Sequence, residues 1–392
     1  MTSEGEHGET PATCSQCKLL IYTHAMAGGG AERVCAILAS GLARSGSEVI
    51  LAVDHEHNAN RIFLDGNIRV VVLGGGHGRA VVRLSALLAR EKPDVSLSAI
   101  GVSNVKHTLA AALCGRLGRV ILSYHAFAIS EPQILSRSAY WMASILSRVT
   151  ARTVAVSHAL RGNLIQRWHV SPKRTITIYN PVLVGSDTSP LPREPGTPRL
   201  VLAAGRLVPG KNMLGVIRAF NHIAARVDAH LVIVGEGPDR PALEAEIAAL
   251  GLHDRVRLPG YVAEPWDLYR QASCFVSASP VESFSMVVAE ALAYGLPVVA
   301  YDSPGPREVL AHGRYGTLVT PGDEAALGHA IFRALEAPGD EADRRAGGAA
   351  FSLQVGLDAY RRLFGEVIAE NRRRGLFNRS SQLSIGRPHS LF

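Results

Sequence analysis

The chain is predicted to be α/β, with two Rossmann-like domains facing across a cleft. Short apolar runs alternate with longer amphipathic stretches, the alternation breaks once at a segment rich in Pro, Gly and Ser, and a second alternating series follows. Strands joined through helices do not pair as hairpins, so each series implies a parallel sheet covered by helices. At 392 residues, with 47% apolar and 19% charged side chains, the chain is long enough for two such domains.

The elements follow in order. Residues 1–17 are acidic and lack an apolar signal core, so a disordered leader is expected there, and the protein is expected to stay in the cytoplasm. In residues 18–180, the runs KLLIYTH, SEVILAV, IRVVVL, VSLSAI, RVILSY, RTVAVS and TITIY read as buried strands, with helices such as AERVCAILASGLARSG between them. Residues 181–197, PVLVGSDTSPLPREPGT, read as the linker between domains. A second series occupies residues 198–351, with strands RLVLAAG, HLVIVGEG, RVRLPGY, CFVSAS, LPVVAY and YGTLVT. A long helix is expected over residues 352–374, then a disordered basic tail over 375–392.

The chemistry concentrates where strands end. Arg206 and Lys211 share the loop GRLVPGKN, and Glu282 and Glu290 stand with seven residues between them in ESFSMVVAE. Two fixed cations and two acids at one sheet mouth suit a sugar nucleotide. Breaking an anomeric bond to a diphosphate leaves negative charge on the phosphate and positive charge on the sugar. A guanidinium fork and an ammonium can hold the first without a metal. Ser283 or Ser285 is expected to cap a helix from Met286, aiming free amides at phosphate or sugar oxygens. Gly28, Gly29 and Gly30 precede another helix, where glycine lets backbone approach a ligand and leaves the helix N-terminus free for an anion. His125 follows the strand RVILSY, placing it at the cleft, and Ser157 is expected to cap the helix of AVSHAL.

Taken together, AGGGAERV, SYHAF, AVSHAL, YNPV, GRLVPGKN, VGEGPDR, GYV and the Glu-x7-Glu segment ending in EALAYGLPVVA resemble the retaining GT-B glycosyltransferases, specifically glycosyltransferase family 4. The resemblance spans residues 18 to 340, and its specificity lies in the order of the motifs. It implies that the last helix crosses back to the first domain. It implies that Gly29 and Gly30 meet the donor diphosphate or the acceptor, and that His125 lies near the donor sugar. It further implies that Gly205, Arg206 and Lys211 hold the diphosphate, that Gly235, Gly237, Tyr261 and Val262 surround the base, and that Glu290 binds ribose. Glu282, with Ser283, Phe284 and Ser285, is expected to face the transferred sugar. Many family members carry Gly where this chain has Ser283 and Ser285, and serine does not easily take positive φ, so donor preference is the property this departure affects.

The expected reaction is hexosyl transfer with retention of configuration, from a nucleotide sugar, UDP-linked in preference, to a glycan or lipid-linked acceptor such as lipopolysaccharide or exopolysaccharide. His125, Glu282, Arg206 and Lys211 form the catalytic set. No cofactor is expected, since the nucleotide sugar is a substrate and no metal is required. Three rival classes are weaker. A dinucleotide dehydrogenase needs a third glycine where Arg33 stands. A glycosidase would pair Glu282 with Glu290 as acid and base, leaving the phosphate arm without purpose. A non-catalytic nucleotide-sugar or glycan-binding protein would not require the full set of polar residues.

Charge and cysteine placement bound the partners. Residues 1–180 hold 19 Lys and Arg against 11 Asp and Glu, while the whole chain is +7, so the excess lies in the first domain. No acid occurs from 132 to 180, where Arg137, Arg148, Arg152, Arg161, Arg167, Lys173 and Arg174 fall beside the apolar AYWMASILSR. That stretch suits an anionic membrane or a lipid diphosphate acceptor, and equally a buried helix carrying solvated arginines. A peripheral position on the inner face of the plasma membrane follows from the first alternative. The basic tail, with Arg372, Arg373, Arg374, Arg379 and Arg387, has no nucleic-acid motif beside it. Cys14 and Cys17 form a lone CxxC without a second ligand pair, and Asp54-His55-Glu56-His57 reads as a solvated turn rather than a metal site. No apolar run reaches the roughly 18 residues of a spanning helix.

Overall fold

The computed structural model describes residues 17–57, 59–131 and 134–384. Unbroken apolar runs form strands buried on both faces, as parallel sheets require. The first sheet contains β1 (Lys18–Thr23), β2 (Glu48–Val53), β3 (Arg69–Val72), β4 (Val95–Ala99), β5 (Val120–Tyr124), β6 (Arg152–Ala155) and β7 (Thr175–Thr177). Its order is β3-β2-β1-β4-β5-β6-β7, and every pairing is parallel. The second contains β8 (Arg199–Ala204), β9 (Ala229–Val234), β10 (Val256–Gly260), β11 (Cys274–Ser277), β12 (Val298–Tyr301) and β13 (Thr317–Val319), in order β10-β9-β8-β11-β12-β13 and again parallel. Each sheet reverses its winding once, between β1 and β4 and between β8 and β11. Ligands of open parallel sheets bind outside the carboxyl ends of the strands at such reversals. Two Rossmann-like lobes facing across a cleft are therefore the architecture.

Apolar packing joins the lobes. One core cluster runs from Leu122 and Tyr124 in the first to Phe284, Val288 and Ala300 in the second. The last helix, Leu353–Ser384, returns to the first lobe, where Leu357, Tyr360, Phe364 and Val367 enter the core beneath β1 and β4. A Cβ on Gly41 would stand 2.7 Å from Leu357 Cδ1, so the first-lobe helix Gly30–Arg44 accepts this neighbour only with glycine at that point. Arg152 pairs with Glu370, and Asn371 Nδ2 donates to Gly118 O at 2.7 Å.

The helix expected to end at Arg374 continues to Ser384, which corrects the disordered tail over residues 375–384. The sequence offers no proline before Pro388 to stop it. Residues 385–392, Arg387 among them, lie outside the described residues, as do the expected leader up to residue 16 and Cys14. Cys17 itself is buried, with Sγ 3.7 Å from Ser47 Oγ, so it belongs to the fold rather than to a leader. Asp54 also departs from the solvated-turn reading, although His55, Glu56 and His57 are exposed. It accepts from Tyr22 OH at 2.8 Å, contacts His24 Nδ1 at 2.9 Å and pairs with buried Lys106. Burial alone would raise its carboxyl, but hydrogen bonds from His24 and Lys106 hold it at about 2.

Candidate active site

The loops that leave β8 and β11 begin at the winding reversal of the second sheet, so the predicted cationic and acidic arms start side by side. After β8, Gly205 donates its amide to Val234 O at 2.9 Å, and Gly235 donates to Gly260 O at 2.9 Å, extending the ladder past the strand ends through glycines. Gly235 has φ +146°, and a Cβ there would fall 1.8 Å from Gly205 O. No side chain fits, and the backbones of the two loops therefore lie against each other. Tyr261 and Val262 follow β10 on the same side, Tyr261 being exposed.

Lys211 ends the short 3-10 turn Pro209–Lys211 and forms an ion pair with Glu282. The loop GRLVPGKN and the first acid of Glu-x7-Glu are therefore in direct contact. Arg206 is exposed and joins neither glutamate in an ion pair among the described residues. Its charge acts on Glu131 of the first lobe, whose carboxyl is raised by burial and held back by Arg206. The convergence expected for both cations is seen at Lys211 alone, since Arg206 precedes the turn and is exposed.

Glu290 lies inside the helix Met286–Ala293 and is 1% exposed. Its Oε2 accepts from Tyr269 OH at 3.0 Å, and its Oε1 lies 2.9 Å from Arg33 NH1 of the first lobe. Burial raises this carboxyl and Arg33 opposes the rise. Arg33 also lies over the Phe63 ring, 4.6 Å from its centroid. Sequence reasoning treated Arg33 only as the residue that spoils a dinucleotide fingerprint, and Tyr269 carried no signal beyond an apolar helix position.

The helix start at Met286 differs from the capping expectation. Ser285 occupies the N-cap position at φ +75° and makes no side-chain cap. Its buried hydroxyl has no partner among the described residues. Serine does adopt the left-handed region here, a conformation that persists only where surrounding packing enforces it. The preceding Phe284 is buried and stacks on Tyr179, with ring centroids 5.9 Å apart. Ser283 Oγ donates across the cleft to His125 O.

His125 sits one residue beyond β5, with Nε2 2.9 Å from Ser123 Oγ. Burial pushes its imidazole down to about 4, with Asn180 opposing, so the ring is neutral at pH 7. Neither His125 Nδ1 nor Asn180 Oδ1 completes a hydrogen bond among the described residues. The glycine loop is less open than expected. Gly29 N donates to Glu32 Oε2 at 3.0 Å, so this amide is already satisfied by its own helix. A Cβ on Gly30 would stand 3.6 Å from Met286 Sδ, which puts the two helix starts face to face across the cleft. Ser157 is the N-cap expected of it, accepting from Leu160 N at 3.1 Å. Glu308, which no motif marked, crosses from the second lobe to accept from His158 N at 2.7 Å and Ala159 N at 3.1 Å.

Several buried polar atoms at the cleft complete no hydrogen bond among the described residues: Arg33 Nε, His125 Nδ1, Asn180 Oδ1 and Ser285 Oγ. Each such group costs about 1–3 kcal/mol when unmatched, a cost that a polar ligand meeting them would offset.

Comparison with known proteins agrees with this geometry. Residues 28–184 match the model of Glycosyltransferase Family 4, and residues 189–351 match that of Glycosyl transferases group 1. An N-acetylgalactosaminyltransferase of Campylobacter jejuni, whose name specifies a diphospho-undecaprenol-linked substrate, is 34% identical over 159 residues, 40% of this chain and 43% of that protein. The lipopolysaccharide 1,6-galactosyltransferase of Salmonella typhimurium is 31% identical over 173 residues, 43% of this chain and 47% of that protein. The chain spans less than half the length of these curated relatives. Among solved structures, a glycosyltransferase from Rickettsia africae superposes with a TM-score of 0.76 at 17% identity, covering 90% of this chain and 99% of that one. The Anabaena HepE protein, solved with UDP and glucose, superposes with a TM-score of 0.71 at 21% identity, covering 91% and 99%. With both lobes matched in sequence and the pair matched in fold, the chain belongs to the GT-B glycosyltransferases of the family 4 type.

Proposed function

We propose that this protein transfers a hexosyl unit from a nucleotide sugar, UDP-linked in preference, to a glycan or lipid-linked glycan, with retention and without a metal ion. The observation that carries the reading is the Lys211–Glu282 pair, set at the winding reversal within one cleft that also holds Glu290 and His125. The diphosphate takes Lys211 from Glu282, and Arg206 supplies the second cation. Glu282 is then freed to face the sugar, and the ribose hydroxyls engage Glu290. Gly235, Gly237, Tyr261 and Val262 surround the base.

In the reacting complex the bond from the anomeric carbon to the diphosphate oxygen breaks on the same face on which the acceptor oxygen bonds. The acceptor's proton passes to the departing phosphate. Glu282 and neutral His125 support the positive charge that develops on the sugar between these events. The UDP-bound neighbour and the relatives that build lipopolysaccharide and lipid-linked glycans support the donor and acceptor classes.

Incubation with a panel of UDP- and GDP-sugars, with and without a lipid-linked acceptor, tests the reading. Nucleoside diphosphate release that requires acceptor is the expected result. Release by water alone, with no glycosylated product, would replace transfer by hydrolysis, and binding without release would leave a non-catalytic sugar-nucleotide receptor.

A further inference from the structure

Residues 134–149 form a continuous helical run, made of the helix Ile134–Ser138, the 3-10 turn Ala139–Met142 and the helix Ala143–Val149. Its inner side is occupied: Ala139, Tyr140, Ala143 and Leu146 are buried against the first lobe. The outer side, where a helix packed against one core normally carries polar residues, presents Ile134, Trp141 and Ile145 at 84%, 76% and 61% exposure. Spacings of seven and four residues keep these three positions on the outer side of the run, whose 3-10 turn rises about 2.0 Å per residue and its α-helical parts about 1.5 Å. Arg137 and Arg148 flank the stripe, both exposed and neither paired with a carboxylate among the described residues.

Two physical arguments select the occupant. No acidic residue occurs between 132 and 180, so the run itself carries only basic charges, with Glu131 just before it. A twofold contact between copies would set Arg137 and Arg148 against their own counterparts, an unfavourable juxtaposition of like charges. An anionic bilayer surface matches both components, because tryptophan and branched aliphatic side chains enter the headgroup boundary while arginines meet phosphates.

We propose that the outer face of residues 134–149 docks this protein on an anionic phospholipid bilayer, with Ile134, Trp141 and Ile145 inserted at the headgroup boundary. Tyr140 OH donates to Ala126 O at 2.6 Å, so the run is tied to the backbone beside His125 and docking holds that side of the first lobe at the lipid surface. The proposal does not depend on the transfer reaction.

The test is cosedimentation of the full chain with vesicles of phosphatidylcholine, alone or mixed with phosphatidylglycerol. Binding to the mixed vesicles is expected to exceed that to neutral ones by at least about tenfold, as two to three surface arginines provide. Trp141 emission shifts to the blue on binding, and the shift is absent in Trp141→Phe. An Ile134→Ser, Ile145→Ser double variant, changed only at exposed sites, loses binding while keeping its melting temperature and its turnover with a water-soluble acceptor. Arg137→Gln with Arg148→Gln loses the preference for anionic vesicles. Equal binding of the double serine variant, indifference to phosphatidylglycerol, or a concentration-dependent dimer abolished by the serine substitutions would each overturn the proposal.

Discussion

Arg33 and Glu290 belong to different lobes and lie 2.9 Å apart, with Glu290 fully buried and Tyr269 on its other oxygen. Both oxygens of the expected ribose ligand are engaged by protein, so a nucleotide must exchange places with Arg33. Removing one partner of a buried ion pair leaves an uncompensated charge.

Arg33→Met is therefore expected to lower unfolding stability by about 3–5 kcal/mol. Combining it with Glu290→Gln is expected to restore much of the loss, since no buried charge then remains. Urea denaturation of the two single variants and the double variant measures the coupling, and additive losses would show that the pair does not interact.

The two cations of the phosphate arm are separable. Arg206 forms no ion pair among the described residues, so Arg206→Ala is expected to slow transfer by about 10² to 10³ while leaving the melting temperature unchanged. Lys211→Ala is expected to slow transfer similarly and also to lower the melting temperature, because Glu282 loses its partner. Near-normal turnover of either variant would remove that side chain from the diphosphate site.

Acid sensitivity should carry the mark of His107. It is fully buried, touches Ser96 Oγ at 2.8 Å through Nε2, and is pushed by burial from 6.5 down to about 3. Between these values the unfolded chain binds a proton that the fold refuses, so stability falls as pH drops from about 6.5 towards 3. The limiting slope from this one residue is about 1.4 kcal/mol per pH unit. His107→Gln should flatten the dependence of the urea midpoint between pH 7 and 5.

Glu308 joins the lobes by accepting the first two amides of the helix His158–Trp168. A carboxylate at a helix N-terminus contributes about 0.3–2 kcal/mol. Glu308→Gln is expected to cost that much stability, and hydrogen exchange at the His158 and Ala159 amides should accelerate. Unchanged protection would mean that the contact is not maintained in solution.

The strands were legible because parallel sheets buried on both faces demand long apolar runs, as in KLLIYT and VVAY. The Lys211–Glu282 contact was legible too, since both loops leave neighbouring strand ends. Arg33 and Glu308 were not, because their roles arise only when the two lobes meet, and no local spacing records a partner more than a hundred residues away; Tyr269 was not, because its hydroxyl meets Glu290 from a different helix of the same lobe. Ser285 was misread for a different reason. Its residue type favours a capping bond, but its backbone takes φ +75° and its hydroxyl makes no cap, against local preference. The amide of Gly29 looked free because the reach of Glu32 back along its own helix was not weighed.

The return of the last helix to the first lobe has a bearing on how the polypeptide is made. Leu357, Tyr360, Phe364 and Val367 complete the hydrophobic interior of the half that emerges first from the ribosome. That half keeps an uncovered apolar groove until residues 353–367 have been translated. Its completion therefore follows synthesis of the second lobe, and the nascent intermediate exposes apolar surface in the meantime.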